Sequence, residues 1–286
     1  MPRLKIVLCP IDFSDLSRQE LALAVEVGQA FGAHLVLHHN FAAVSPGFTR
    51  AWEWNEVHRA DETSTAKAEV RMRQLLAELP KGVSAEASLS TGPLATVLLE
   101  LARQLPADLV VLGSHGWSTE DHASVTERII DRSPCPVLTI QDGSGVQRFR
   151  LRAAAGADAV PVLVPTDLSE EGERVAEYAV ELARKAPLRL HLLHVVPAGS
   201  SYMTLETAQR CVNDLIPTDL LAQAECHVQQ GDSIAEILKL SQRMDPAFMI
   251  MGEHARGIFR RFFTKDTARA LLHRASCAVW FVPPRG

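Results

Sequence analysis

What this 286-residue chain lacks sets its first limits. No apolar run approaches the length needed to cross a bilayer, and the opening MPRLKIVLCPID passes straight into a strand-like segment. Neither a membrane span nor a signal peptide is expected. Five cysteines stand far apart with no CxxC pair, which argues against a disulfide framework and fits a reduced, cytoplasmic protein. There is no GxxxxGK(S/T) phosphate loop and no GxSxG elbow, and Ser14, Ser114 and Ser124 have no evident base. P-loop and serine-hydrolase chemistry are therefore set aside. His38, His39, His58, His115 and His122 show neither HxxxH nor His/Cys spacing, so no metal site is expected. A formal charge of −5 argues against a dedicated nucleic-acid or anionic-membrane binder.

What is present is organised around Val110 to Ile140, VVLGSHGWSTEDHASVTERIIDRSPCPVLTI. It reads as a buried strand, a glycine turn (Gly113, Gly116), a polar loop, a helix opening at Ser124 and a second strand after Pro136. A strand that runs through a glycine turn into a helix N-terminus gathers unpaired backbone N–H groups, which suits a phosphate. The same order returns in Phe248 to Val282. Gly113 and Gly252 differ by 252 − 113 = 139 and Asp12 and Asp167 by 167 − 12 = 155, while His38 matched to His194 gives 194 − 38 = 156. Offsets that hold within elements and jump between them indicate a duplication, with 17 residues lost between the second and third strands of the second copy.

In the first copy the expected elements are strand Lys5 to Pro10, helix Leu16 to Phe31 stopped by Gly32, and strand His34 to Phe41. An irregular stretch over Ala42 to Asp61 is followed by helix Glu62 to Leu79, strand Val83 to Ser90, a helix begun by Pro93 and strand Asp108 to Leu112. The order is an α/β one, implying a parallel sheet covered on both faces. Three units follow: a first α/β domain over 1–141, a linker over 142–158 and a second α/β domain over 159–286.

Strand-Pro-Ile-Asp at the start, Gly-Ser-His-Gly after the fourth strand, Ser-Val-Thr-Glu-Arg and Pro-Cys-Pro-Val-Leu together resemble the universal stress protein family, here as a tandem two-domain member. The resemblance implies open, Rossmann-like sheets ordered 3-2-1-4-5, with ligand where strands 1 and 4 part. It also implies that the final strands of the two domains pair as an internal pseudo-dimer, with a further homodimer open. Nucleotide-binding relatives carry Gly-x-x-Gly, nine residues, then Gly-Ser or Gly-Thr. The first copy keeps Gly113, Gly116 and Ser124, but six residues separate Gly116 from Ala123, which stands in the glycine's place. The second has Ala255 and then Lys265-Asp266, which would set a carboxylate where phosphate should lie.

The resemblance therefore implies ATP or another adenine nucleotide in the first domain and a degenerate site in the second. Asp12 would take the base or ribose, the backbone at Pro10 and Ile11 with His39 and Leu112 the adenine, and Gly113, Gly116, Ala123, Ser124 and Val125 the phosphates. Plainer readings stand beside these. Ser124-Val-Thr-Glu127 is also a capping box, and Asp12 and Asp167 also fit turns after a strand. Arg256 to Lys265, RGIFRRFFTK, interleaves basic and aromatic residues as binders of nucleic acid or an anionic partner do, but solvated arginines over inward phenylalanines are the commoner cause of such a run and the reading favoured. No catalytic set is evident, so a binder without turnover is expected. The alternatives are a scaffold acting through a protein partner or another small ligand, and an ATP-consuming enzyme, which lacks its catalytic groups.

Overall fold

The computed structural model describes residues 4–41, 51–113, 122–140, 159–199, 203–252 and 265–284. Their elements run β1 (Ile6–Pro10), α1 (Asp15–Phe31), β2 (His34–Phe41), α2 (Ala51–Glu78), β3 (Ser84–Thr91), α3 (Leu94–Gln104), β4 (Leu109–Gly113), α4 (His122–Ile130) and β5 (Val137–Ile140). The second half gives β6 (Val160–Thr166), α5 (Glu170–Ala183), β7 (Leu188–Val196), α6 (Leu205–Asp214), a 3-10 turn (Thr218–Gln223), β8 (Ala224–Gln230), α7 (Ser233–Met244), β9 (Phe248–Gly252), α8 (Lys265–Arg274) and β10 (Ala278–Val282).

All ten strands join one sheet in the order β3-β2-β1-β4-β5-β10-β9-β6-β7-β8. Each half is parallel with order 3-2-1-4-5, and the halves meet where β5 and β10 pair antiparallel, Trp280 opposite Leu138. The inner strands are short apolar runs because both faces are covered, whereas the edge strands β3 (SAEASLST) and β8 (AECHVQQ) are polar and only partly buried. In β1, Val7 and Cys9 enter one core and Leu8 the other. The first core takes Leu23 and Val27 of α1, Met72 of α2, Val175 of α5 and Val212 of α6, while the second takes Leu98 of α3, Ile129 of α4, Ile237 of α7 and Leu271 of α8. Each core therefore runs through both halves.

Local signals explain the helix ends. Ser14 caps α1 by accepting from the Ser17 N–H, and Gly32 stops it in the left-handed region at φ 67°. Three readings of the sequence are corrected. The segment Ala51 to Asp61 is helical, since α2 begins at Ala51 rather than Glu62; it contains no glycine or proline to break it. Helix α4 begins at His122, two residues before Ser124, so Ser124 sits inside its first turn rather than capping it. The ladder pairs Pro10 with His38 and Thr166 with His194, which matches His194 to His39 rather than His38. The offset is then 194 − 39 = 155, as at Asp12 and Asp167, and the shortening is 155 − 139 = 16 residues. It falls where the 28-residue α2 gives way to the 10-residue α6. The linker and the Arg256 to Phe263 stretch lie outside the described residues.

The junction has its own polar contacts. The Thr139 hydroxyl donates to Val279 O (3.2 Å), and His273 Nε2 of α8 lies 3.3 Å from Glu127 Oε1 of α4.

Candidate functional site

The chain leaves β1 through Ile11, Asp12 and Phe13, at the end of the sheet where β1 and β4 diverge. Ile11 is held from both sides: its N–H donates to His38 O (2.7 Å) and its carbonyl lies 2.6 Å from His39 Nδ1. Asp12 accepts the Ser14 N–H on Oδ1 (2.8 Å) and remains half-buried. Phe13 then adopts φ 64°, a costly backbone for a bulky side chain, and its counterpart Leu168 does the same at φ 59°. That turn throws the Phe13 ring against His39, centroids 4.7 Å apart, with the Arg71 guanidinium 4.0 Å from the ring centroid. Beside this platform, between α1 and α2, lies a cavity of about 680 Å³ lined by Ile11, Phe13, Ser17, Leu21, Arg71 and Leu75 among others.

The glycine ending β4 meets a carboxylate. Glu20 of α1 is 5% exposed, and its carboxyl lies against Gly113. A Cβ at Gly113 would collide with Glu20 Oε1 and come within 2.6 Å of Leu16 Cδ2. Burial, then the nearby Asp12 charge, pushes the Glu20 carboxyl up to about 8 against the opposing pull of the Gly113 backbone. Glu20 is thus largely protonated at neutral pH. The same glycine's carbonyl accepts from Thr126 Oγ1 of α4 (3.1 Å).

In the second half the carboxylate has moved one turn. Leu16 and Glu20 correspond to Glu171 and Val175 at the offset of 155, and a Cβ at Gly252 would lie 3.4 Å from Glu171 Oε1 and 3.3 Å from Val175 Cγ2. Glu171 has Arg174 at 3.5 Å, whereas Gln19 stands at the matching position of the first half. Asp167 is closed over by its own chain. It is 6% exposed, and its Oδ1 accepts from both Ser169 N (3.1 Å) and Ser169 Oγ (2.5 Å). His194 holds Thr166 O at 2.9 Å as His39 holds Ile11 O.

Of the residues singled out from sequence, Pro10, Ile11, Asp12, His39 and Gly113 come together at this crevice. Leu112 and Val125 pack instead into the core of α3 and α4. Gly116 lies outside the described residues, and of Ala123 and Ser124 only the helical backbone is described. His38 is a core residue with no exposure, bonded to Ser88 and Ser90, and burial lowers it to about 4. Sequence reasoning missed Glu20, Phe13 and Arg71. A glutamate among the apolar positions Leu16, Leu23, Ala24 and Val27 was the available signal for Glu20. The left-handed turn that aims Phe13 has no such marker.

Known proteins with this pattern are consistent in kind. A model of the universal stress protein family matches residues 3–141 and again 161–283. Universal stress proteins of Methanocaldococcus jannaschii and Thermus aquaticus align at 26% identity over 142 residues and 28% over 145, each covering 48% of this chain and 82% and 98% of their own lengths. Among solved structures, a universal stress protein from Archaeoglobus fulgidus superposes with a TM-score of 0.67 at 18% identity, covering 98% of this chain and 97% of that one. A universal stress protein from Pseudomonas aeruginosa gives 0.59 at 17%, covering 98% and 94%. These structures share the tandem fold.

Proposed function

We propose that this chain, which belongs to the universal stress protein family, is a cytoplasmic regulatory protein that binds a small ligand without turning it over. The ligand is an adenine nucleotide held in the first half. The observation that carries this reading is the asymmetry of the paired aspartates. Asp12 is half-open beside the Phe13, His39 and Arg71 platform, whereas Asp167 is 6% exposed with Oδ1 doubly occupied. In this reading Asp12 receives hydroxyl or amino hydrogens of ribose or base. The backbone at Pro10 and Ile11 with His39 borders the adenine, and Gly113, Gly116, Ala123 and Ser124 are the residues assigned to the phosphates. These groups hold and orient a ligand; Glu20, protonated at neutral pH, spares the phosphates a second buried negative charge.

A specific observation also favours a scaffold that works through protein contacts: the space beside Gly113, the expected anchor for phosphate, is already filled by the chain's own buried Glu20 carboxyl. Calorimetric titration with ATP at pH 7 and pH 9 separates the two. The nucleotide reading expects binding at pH 7 that weakens at pH 9 as Glu20 ionises, with a smaller loss in Glu20→Gln. No heat at millimolar ATP in both wild type and Glu20→Gln leaves the scaffold.

A further inference from the structure

The second half places two imidazoles and a carboxylate together on its edge strands, away from the crevice. His191 of β7 stands opposite Glu225 of β8 in the parallel ladder, and His227 follows Glu225 by two residues, so the pleat puts all three on one face. His191 Nδ1 and His227 Nε2 are 3.2 Å apart, Glu225 Oε2 is 3.5 Å from His191 Nδ1, and Glu225 Oε1 is 3.8 Å from His227 Nε2. One donor atom from each lies within 4.8 Å of the other two. We infer that His191, Glu225 and His227 bind a divalent transition metal of the zinc class, with water completing the coordination.

The geometry fits the metal closely. Zinc bound tetrahedrally at about 2.0–2.1 Å from nitrogen and 2.0–2.2 Å from oxygen spaces its donors about 3.3–3.5 Å apart; here the two nitrogens are 3.2 Å apart, with one Glu225 oxygen 3.5 Å from His191 and the other 3.8 Å from His227. The rings lie 5.5 Å apart and only 17° from parallel, so their nitrogens face one another. In the metal-free state one ring nitrogen donates to the other; when the ion binds, that proton passes through solvent to the same ring's other nitrogen, so both imidazoles stay neutral and turn a lone pair to the metal. Electrostatics prepare the site. Burial lowers both histidines, His191 being 9% exposed, and the cations Arg189 and Arg243 act in the same direction on His191 and His227 respectively. Both rings are thereby neutral, the form that ligates. Glu225 is exposed and supplies the negative charge that offsets those arginines. Imidazole with one carboxylate suits zinc and its neighbours over magnesium or calcium, which prefer oxygen throughout.

The duplication supplies an internal control. At the offsets of 155 and 139, His191, Glu225 and His227 correspond to Val36, Glu86 and Ser88, so the first half retains only the carboxylate. The set is therefore no consequence of the fold. Sequence reading weighed the histidines of the first half and expected no metal. The signal it passed over was Glu-x-His on a strand next to a histidine-bearing strand.

The test is a calorimetric titration of zinc into tag-free, EDTA-dialysed protein, with cobalt absorption as a second readout. One equivalent is expected, with the intense visible bands of tetrahedral cobalt. Glu225→Gln and His227→Gln should each weaken zinc by at least about 10-fold to 100-fold, the loss that removing even an outer-shell partner causes. The metal-free variants should keep the wild-type circular dichroism and thermal midpoint, and Ser88→Ala should bind as wild type. Absence of binding at millimolar zinc in the wild type overturns the site. So does unchanged affinity in the His191→Gln/His227→Gln double variant, which would locate the ion elsewhere. Adenine nucleotide binding is independent of either result.

Discussion

Glu20 decides the character of the first crevice. Burial and the nearby Asp12 charge keep the proton on its carboxyl to about pH 8, whereas an unfolded glutamate releases it near 4.5. Between those values the unfolded state binds fewer protons, so stability falls as pH rises across the window. His38 acts at the other end: the folded ring takes a proton only near pH 4 against 6.5 when unfolded, so stability falls as pH drops between them. Thermal unfolding followed from pH 4 to 9 should show both losses, and Glu20→Gln should abolish the alkaline one alone. The paired glycines give a second prediction. Gly113→Ala drives a methyl into Leu16 and Glu20 and should cost about 1–3 kcal/mol by overpacking. Gly252→Ala meets its neighbours at 3.3–3.5 Å and should cost less, both read by urea denaturation.

At the scale of elements, most of the chain was legible because its punctuation is chemical. Strand β2 has the bounds expected from sequence, and helix α1, expected to be stopped by Gly32, does end at Phe31. Helix α2 was shortened in the reading because Trp52 and Trp54, two apart, obscure a 3.6-residue period, and nothing else in that stretch announces a helix start. The doublet His38-His39 misled the register by one residue. Either histidine matches His194 by type, and only the ladder and the shared bond to a strand-end carbonyl separate them. Ser124 was read as a cap from a motif, yet Glu127 of that motif contacts His273 across the junction. The caps that do operate can be tested. Ser14→Ala should cost about 1 kcal/mol. Ser169→Ala should cost more, since Ser169 also bonds the buried Asp167, and paired urea curves measure the difference.

The whole molecule behaves as one body because its sheet and both cores cross the junction. Trp280, without exposure, packs against Phe248 and Tyr178 there, ring centroids 5.7 and 6.2 Å away. Far-UV circular dichroism and amide exchange in the two halves should therefore report one coincident unfolding transition, rather than early loss of residues 159–284. Among the described residues no helix is long and apolar enough to cross a membrane. The duplicated architecture was legible from constant offsets; the difference between its crevices was not, since it rests on how far each aspartate is covered and on a carboxylate displaced by one helical turn. That difference carries the functional account. Its most direct test is calorimetry of an adenine nucleotide against Asp12→Ala and Asp167→Ala at pH 7. One site is predicted, lost in the first variant and retained in the second. Binding that survives Asp12→Ala and disappears in Asp167→Ala would contradict it.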